Sequence, residues 1–393
     1  MRSVVPLILI VILFFLFPFA SFYIALIFIC IVAGIRSPDR MLVAFICMCA
    51  IVSLGPLIAL KLPIQDGGND KLQYLDFMRT MHSVGVAKYL MRQPEIISFL
   101  SIYFASSLAG FSDLAFYLIF VVYFSLFLIV LWRGEYRMIP IFLVLFISSS
   151  SFFGTYGNLI RQAMAFPFIF AMIFAKKRGK SVLYMVLAGA AHIPALLVCL
   201  PYVVLRYFNK IIIFCFFAIA LVILVAASGV GDFVSLLDGG DSYLSTKISI
   251  YNNWDSYSVL GVAIFAMGIL AVSNILWLLC RKKPGLFPNH TRLSARNCLI
   301  AVDVSGLSLF FAYGQAKVFE RIYIYFFVIA LVYLSCMLVR VRQGLLKVWV
   351  IFVFLSYSVY GLVKNLETQS LLYGGHPIDF LTENIMNLYR QFV

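Results

Sequence analysis

The sequence predicts an all-α, polytopic membrane protein, and three observations carry that reading. Of 393 residues, 64% are hydrophobic and 12% charged, against about 45–50% and 25% in soluble domains. Mean hydropathy is +1.03. Apolar runs near the roughly 20 residues of a membrane helix recur from end to end, separated by short polar breaks. The alternation in stretches of about ten residues that marks a transmembrane β-strand is missing. One transmembrane domain over 1–393 follows.

Taken in order, the crossings are expected at 4–17, 19–35, 41–61, 113–132, 138–153, 160–175, 211–229, 259–280, 297–312, 322–339 and 346–363. The first apolar run follows Met1–Arg2 and exceeds the roughly 7–15 residues of a signal-peptide core, so it reads as an uncleaved helical hairpin broken at Pro18. Segment 95–112 is apolar but rich in small residues and ends in Gly110–Phe111–Ser112. It is expected to lie on, or dip into, the outer face.

Segment 181–205 is decided by charge. A single crossing there would export Arg206, Lys210, Arg281, Lys282, Lys283, Arg292 and Arg296, against the positive-inside rule. Two half-helices turning near His192–Ile193–Pro194 avoid this, because Pro194 lacks a backbone donor and disfavours helix at Ile193. The sequence thus predicts about eleven crossings and one helical hairpin, with the N-terminus inside and the C-terminus outside. The formal charge of +14 then divides into nineteen cations against Asp39 and Glu135 on the inner face, eleven cations against thirteen acids outside, and Asp303 within a crossing. Most of the basic excess orients the chain and implies no nucleic-acid partner. The outer face receives the long segments 62–112, 230–258 and 364–393.

The eight cysteines sit in or beside apolar runs without metal-ligand spacing and read as packing residues. No metal or other cofactor is implied.

Four constellations could carry chemistry. The first is Gly67–Gly68–Asn69–Asp70, followed by Tyr74 one helical turn beyond Asp70, and then by Gln93–Pro94–Glu95. Asp70 and Glu95 are helix-start residues or outer-face bases. In the second, Gly154–Thr155–Tyr156–Gly157–Asn158 precedes Arg161–Gln162. An arginine at a helix start opposes the dipole unless it snorkels, pairs with an acid or binds an anion, and free backbone N–H groups at that helix start would reinforce a phosphate site. The third is Lys317 and Arg321, four apart, which present two cations on one face for a phosphate or for Glu320. The fourth is His192 at the hairpin turn, a packing residue or an intramembrane proton carrier. Asp303 is expected to neutralise one of the outer cations.

These pieces, in this order, resemble the EpsG-type branch of bacterial polysaccharide polymerases, which overlaps with Wzy O-antigen and capsule polymerases. The resemblance rests on Gly68–Asn69–Asp70 with Tyr74, Pro94–Glu95, Ile160–Arg161–Gln162 with Ala165, the basic break Lys176–Lys180, Leu187–Ala188 running to His192, and Arg321 with Tyr323 and Tyr325. The chain departs from the family pattern in having an apolar stretch, 41–61, between Arg36 and Arg40 and the Gly-x-Asp segment.

The resemblance implies a fold like the C-type glycosyltransferases and a metal-independent glycosyltransferase of the bacterial cytoplasmic membrane. Its substrates would be undecaprenyl-pyrophosphate-linked oligosaccharides, as donor and acceptor, held among membrane lipids, with a chain-length regulator as a further partner. Asp70, Glu95 and His192 are the expected catalytic residues. Arg161, Arg321, Lys317, Tyr74, Gln162 and Asn158 are the expected substrate ligands. A lipid-linked oligosaccharide flippase or transporter, and an O-antigen ligase-like transferase, are the alternatives.

Overall fold

In the computed structural model the described residues are 12–35, 37–62, 70–91, 93–207, 259–282, 292–312, 316–341, 345–373 and 376–392. Every regular element among them is helical. The helices are α1 (Pro18–Ile35), α2 (Arg40–Ala59), α3 (Lys71–Val84), α4 (Val86–Leu90), α5 (Ile96–Ala109), α6 (Asp113–Glu135), α7 (Ile139–Ile147), α8 (Ser150–Gly157) and α9 (Ile160–Phe174). They continue with α10 (Arg178–Ala191), α11 (Leu196–Tyr207), α12 (Val259–Lys282), α13 (Arg292–Phe311), α14 (Ala316–Arg340), α15 (Leu345–Tyr373), α16 (Pro377–Thr382) and α17 (Ile385–Arg390).

Among the described residues five segments could each cross a membrane by length and composition, or six if the bent pair α8–α9 is one span. The described residues therefore support several membrane spans and do not confirm the expected count of eleven. The expected crossing 211–229, the outer segment 230–258 and most of 4–17 lie outside the described residues. The break at Pro18 is present: Ser21 Oγ donates to the Leu13 carbonyl at 2.8 Å, eight residues back, a reach of roughly 12 Å along a straight helix.

The chain also turns back after α6. Phe127 and Phe142 meet edge-on with centroids 5.6 Å apart, whereas fifteen residues of straight helix would separate them by roughly 22 Å. The reversal falls at the 3-10 turn Tyr136–Met138, beside the Glu135–Arg137 ion pair. The expected crossing 138–153 is then interrupted at Ser148–Ser149, and α8 and α9 meet at a 108° elbow. The inner walls of α6 to α9 are aromatic. Phe124, Phe127, Phe142, Phe146, Phe152 and Phe166 are all fully buried, and edge-to-face contacts such as Phe146–Phe152 lock the elbow to its neighbours.

Segment 181–205 is a hairpin, as the charge argument requires. Helix α10 ends at His192, Ile193–Ala195 is a 3-10 turn, and α11 returns. Arg206, in the last turn of α11, donates to the carbonyls of Met172 and Ile173 at 3.2 Å and Ala175 at 2.5 Å, at the C-terminus of α9. Helix α10 starts three residues beyond Ala175, so the hairpin leaves by the face it entered. Gly189 permits its closure, because a Cβ there would lie 2.7 Å from the Leu196 side chain.

Candidate functional site

Four helix ends far apart in sequence converge at the hairpin tip. Glu95 occupies the N-cap position of α5 but makes no side-chain cap bond; its carboxylate is used elsewhere. Oε2 pairs with Arg161 Nη1, at the first turn of α9. Oε1 accepts from His192 Nδ1 at 2.8 Å and from the Ile193 backbone N–H at 3.0 Å. Glu95 is 3% exposed and His192 6%. A second fastening holds the same two elements together, since Ser98 Oγ on α5 donates to the Ala191 carbonyl at 2.5 Å.

Burial pushes the Glu95 carboxyl up, but the hydrogen bond from His192, the charge of Arg161 and the Ile193 N–H outweigh it and hold the group well below the usual carboxylate range. An ionised Glu95 explains Arg161, whose place at a helix N-terminus opposes the dipole: the guanidinium pairs with an acid. Aromatic faces complete its setting, with Phe99 at 5.5 Å and Tyr74 and Phe77 at 6.0 Å from its central carbon to their ring centroids.

Helix α14 closes the fourth side. Gln162 Nε2 donates to the Arg321 carbonyl at 2.7 Å. Arg321 lies within electrostatic range of Tyr74, His192 and Tyr325. One turn below it, Tyr325 is fully buried, with its ring 6.3 Å from that of His192. Glu95, Arg161, His192, Gln162, Tyr74 and Arg321 therefore form one centre.

The remaining expected residues stand apart or at the margin. Asp70 is half-buried at the N-cap position of α3 without a side-chain cap bond, near enough to Tyr74 to act on it electrostatically. Asn158 sits in the α8–α9 elbow and accepts from Lys61 Nζ at 2.8 Å. The side chain of Lys317 lies outside the described residues, as does Asn69. Asp303 accepts from Asn274 at 2.8 Å, and this neighbour on α12 replaces the outer cation expected for it.

Two buried lysines beside the elbow escape a sequence reading. Lys61 is 5% exposed and Lys71 likewise 5%. Lys71 Nζ donates to the carbonyls of Ala59 at 2.8 Å and Lys61 at 2.6 Å and pairs with Asp113 at 2.7 Å. Lys61 ends the expected crossing 41–61 and Lys71 falls in the outer segment 62–112, so neither position carries a sequence signal of burial. Among the described residues no three His, Cys, Asp or Glu side chains converge as metal ligands.

The bent, part-re-entrant helices and the buried ionic centre define a polytopic helical membrane protein. The chain belongs to the EpsG family of polysaccharide-biosynthesis polymerases: that family's sequence profile matches residues 44–373, most of its length. No curated protein and no solved structure matches it.

Proposed function

We propose that this protein is an oligosaccharide repeat-unit polymerase that joins undecaprenyl-diphosphate-linked glycans at the outer leaflet of the bacterial cytoplasmic membrane. The observation that carries the reading is the Glu95–His192 hydrogen bond, buried and braced by Arg161, with Arg321 alongside. Glu95 takes the Nδ1–H of His192, so the neutral ring turns its Nε2 lone pair away from the pair. That nitrogen has no partner among the described residues. It is the base of the proposed reaction, in place of Asp70 or Glu95.

In that reaction a sugar hydroxyl of one lipid-linked repeat attacks the anomeric carbon of the chain held on the other lipid. The new C–O bond forms as the bond to the diphosphate oxygen breaks. The proton passes to His192 Nε2 and the electron pair leaves on undecaprenyl diphosphate. Glu95 stabilises the imidazolium that results, and Arg161 holds Glu95 in place; both act through His192 as positioning residues. Arg321 lies where a cation can offset charge developing on the leaving diphosphate.

Deleting the gene tests this directly by electrophoresis of surface glycan. A polymerase null retains single repeat units on their acceptor and loses longer chains. Loss of all surface-linked repeats with lipid-linked units still flipped indicates a ligase. Accumulation on the inner leaflet indicates a flippase. Either of the last two outcomes overturns the proposal.

A further inference from the structure

Three hydrogen-bonding atoms on the α14 side of the hairpin tip point to one kind of ligand. Among the described residues His192 Nε2, Gln162 Oε1 and Tyr325 Oη are buried without a partner. All three lie along the seam between the hairpin tip, α9 and α14. The rings of His192 and Tyr325 are 6.3 Å apart. Tyr325 packs edge-on against Phe166 at 5.7 Å, one turn along α9 from Gln162. Gln162 is itself fastened to the carbonyl of Arg321, one turn along α14 from Tyr325.

Their partners fix which atoms remain. Gln162 must turn its NH2 to the Arg321 carbonyl, which leaves the amide oxygen. Glu95 takes the Nδ1–H, which leaves a lone pair on Nε2. The unpaired set is therefore two acceptors and one hydroxyl. An ionised phosphate offers only acceptors and cannot satisfy that set. A ligand carrying hydroxyl groups can, with Arg321 free to serve the anion. Nor does the fold need the Tyr325 hydroxyl, because phenylalanine fills the same space without burying an unpaired oxygen.

We propose that Tyr325, with Gln162 and His192 Nε2, forms the subsite that binds the acceptor sugar and orients its attacking hydroxyl. This rests on the polymerase reading and assigns its acceptor side. Tyr325 Oη hydrogen-bonds to the oxygen of that hydroxyl while the O–H points to Nε2. The nitrogen takes the proton, and the oxygen lone pair forms the glycosidic bond. The bond from the anomeric carbon to the diphosphate breaks with its electrons, and Tyr325 keeps its own proton throughout.

The test uses lipid-linked repeat units extracted from cells lacking the protein, offered to full-length wild type and Tyr325→Phe in proteoliposomes. Tyr325→Phe is expected to lower polymerisation at least tenfold, with an unchanged or higher thermal unfolding midpoint. Gln162→Leu is expected to raise KM for the extracted units more than it lowers kcat. Wild-type rate and KM in Tyr325→Phe overturn this subsite and leave the polymerase reading standing. A loss of rate that tracks a lowered unfolding midpoint also overturns it, since a structural role accounts for that. No polymerisation by wild type overturns the polymerase reading itself, and the subsite with it.

Discussion

Arg161 and Glu95 form a buried ion pair, and such pairs penalise removal of one partner far more than removal of both. Arg161→Met leaves Glu95 ionised in a dry site and is expected to cost about 3–5 kcal/mol in thermal unfolding of the detergent-solubilised protein. Glu95→Leu combined with Arg161→Met removes the stranded charge but leaves the His192 Nδ1–H and the Ile193 N–H without their acceptor, at about 1–3 kcal/mol each, so it should regain only part of that loss and still fail to make long glycan. A double variant that polymerises normally would show the centre to be mere packing. Lys61 gives a pH signature of opposite origin. Burial first, and then the charge of Lys71, lower its ammonium from 10.5 to about 8. Between those two values the unfolded chain keeps a proton that the folded protein has released, so stability rises with pH across the window. Below it the full cost of the buried charge remains. Lys61→Met is expected to flatten the rise when unfolding midpoints are compared from pH 8 to 10. The sequence marked Arg161, because it contradicts the helix dipole, and His192, because it sits at a turn within apolar sequence. It could not pair either with Glu95, since the contacts span 66 and 97 residues and no local pattern encodes them.

At the scale of elements, legibility followed the range of the physics involved. The hairpin was readable because Pro194 breaks a helix locally and the positive-inside rule constrains everything after it. The elbow between α8 and α9 was not. Its 108° bend is set by packing of Phe152 and Tyr156 against Phe124 of α6 and by Lys61 reaching Asn158, and these are tertiary facts. The same limit explains why 138–153 reads as one crossing when it is two short helices. The hairpin's return to its own face has a direct consequence for labelling. A cysteine at Tyr207, the last residue of α11, should be protected from an impermeant thiol reagent in intact cells, whereas one at the exposed Lys88 should react. Equal labelling at the two positions rules out the proposed orientation.

Across the whole molecule the charge separates by function. Among the described residues Arg206 caps the C-terminus of α9 away from the centre and needs no ligand. The centre itself draws on segments beginning near residues 70, 95, 160, 192 and 321, so its parts emerge at very different times during synthesis. The hairpin arms hold 14 and 12 helical residues, roughly 21 and 18 Å at 1.5 Å per residue, and neither can cross the roughly 30 Å hydrocarbon layer. A translocating channel therefore cannot release them to lipid one at a time as ordinary spans. They must dock sideways into a bundle whose receiving wall includes α13, where Ser308 Oγ donates to the Leu197 carbonyl at 2.7 Å. That wall is made about a hundred residues after the hairpin. Until it arrives, the tip rests on α5 through Glu95 and Ser98 while the side of α11 that meets α13 stays uncovered, so the hairpin is fully enclosed only once the last helices have been made.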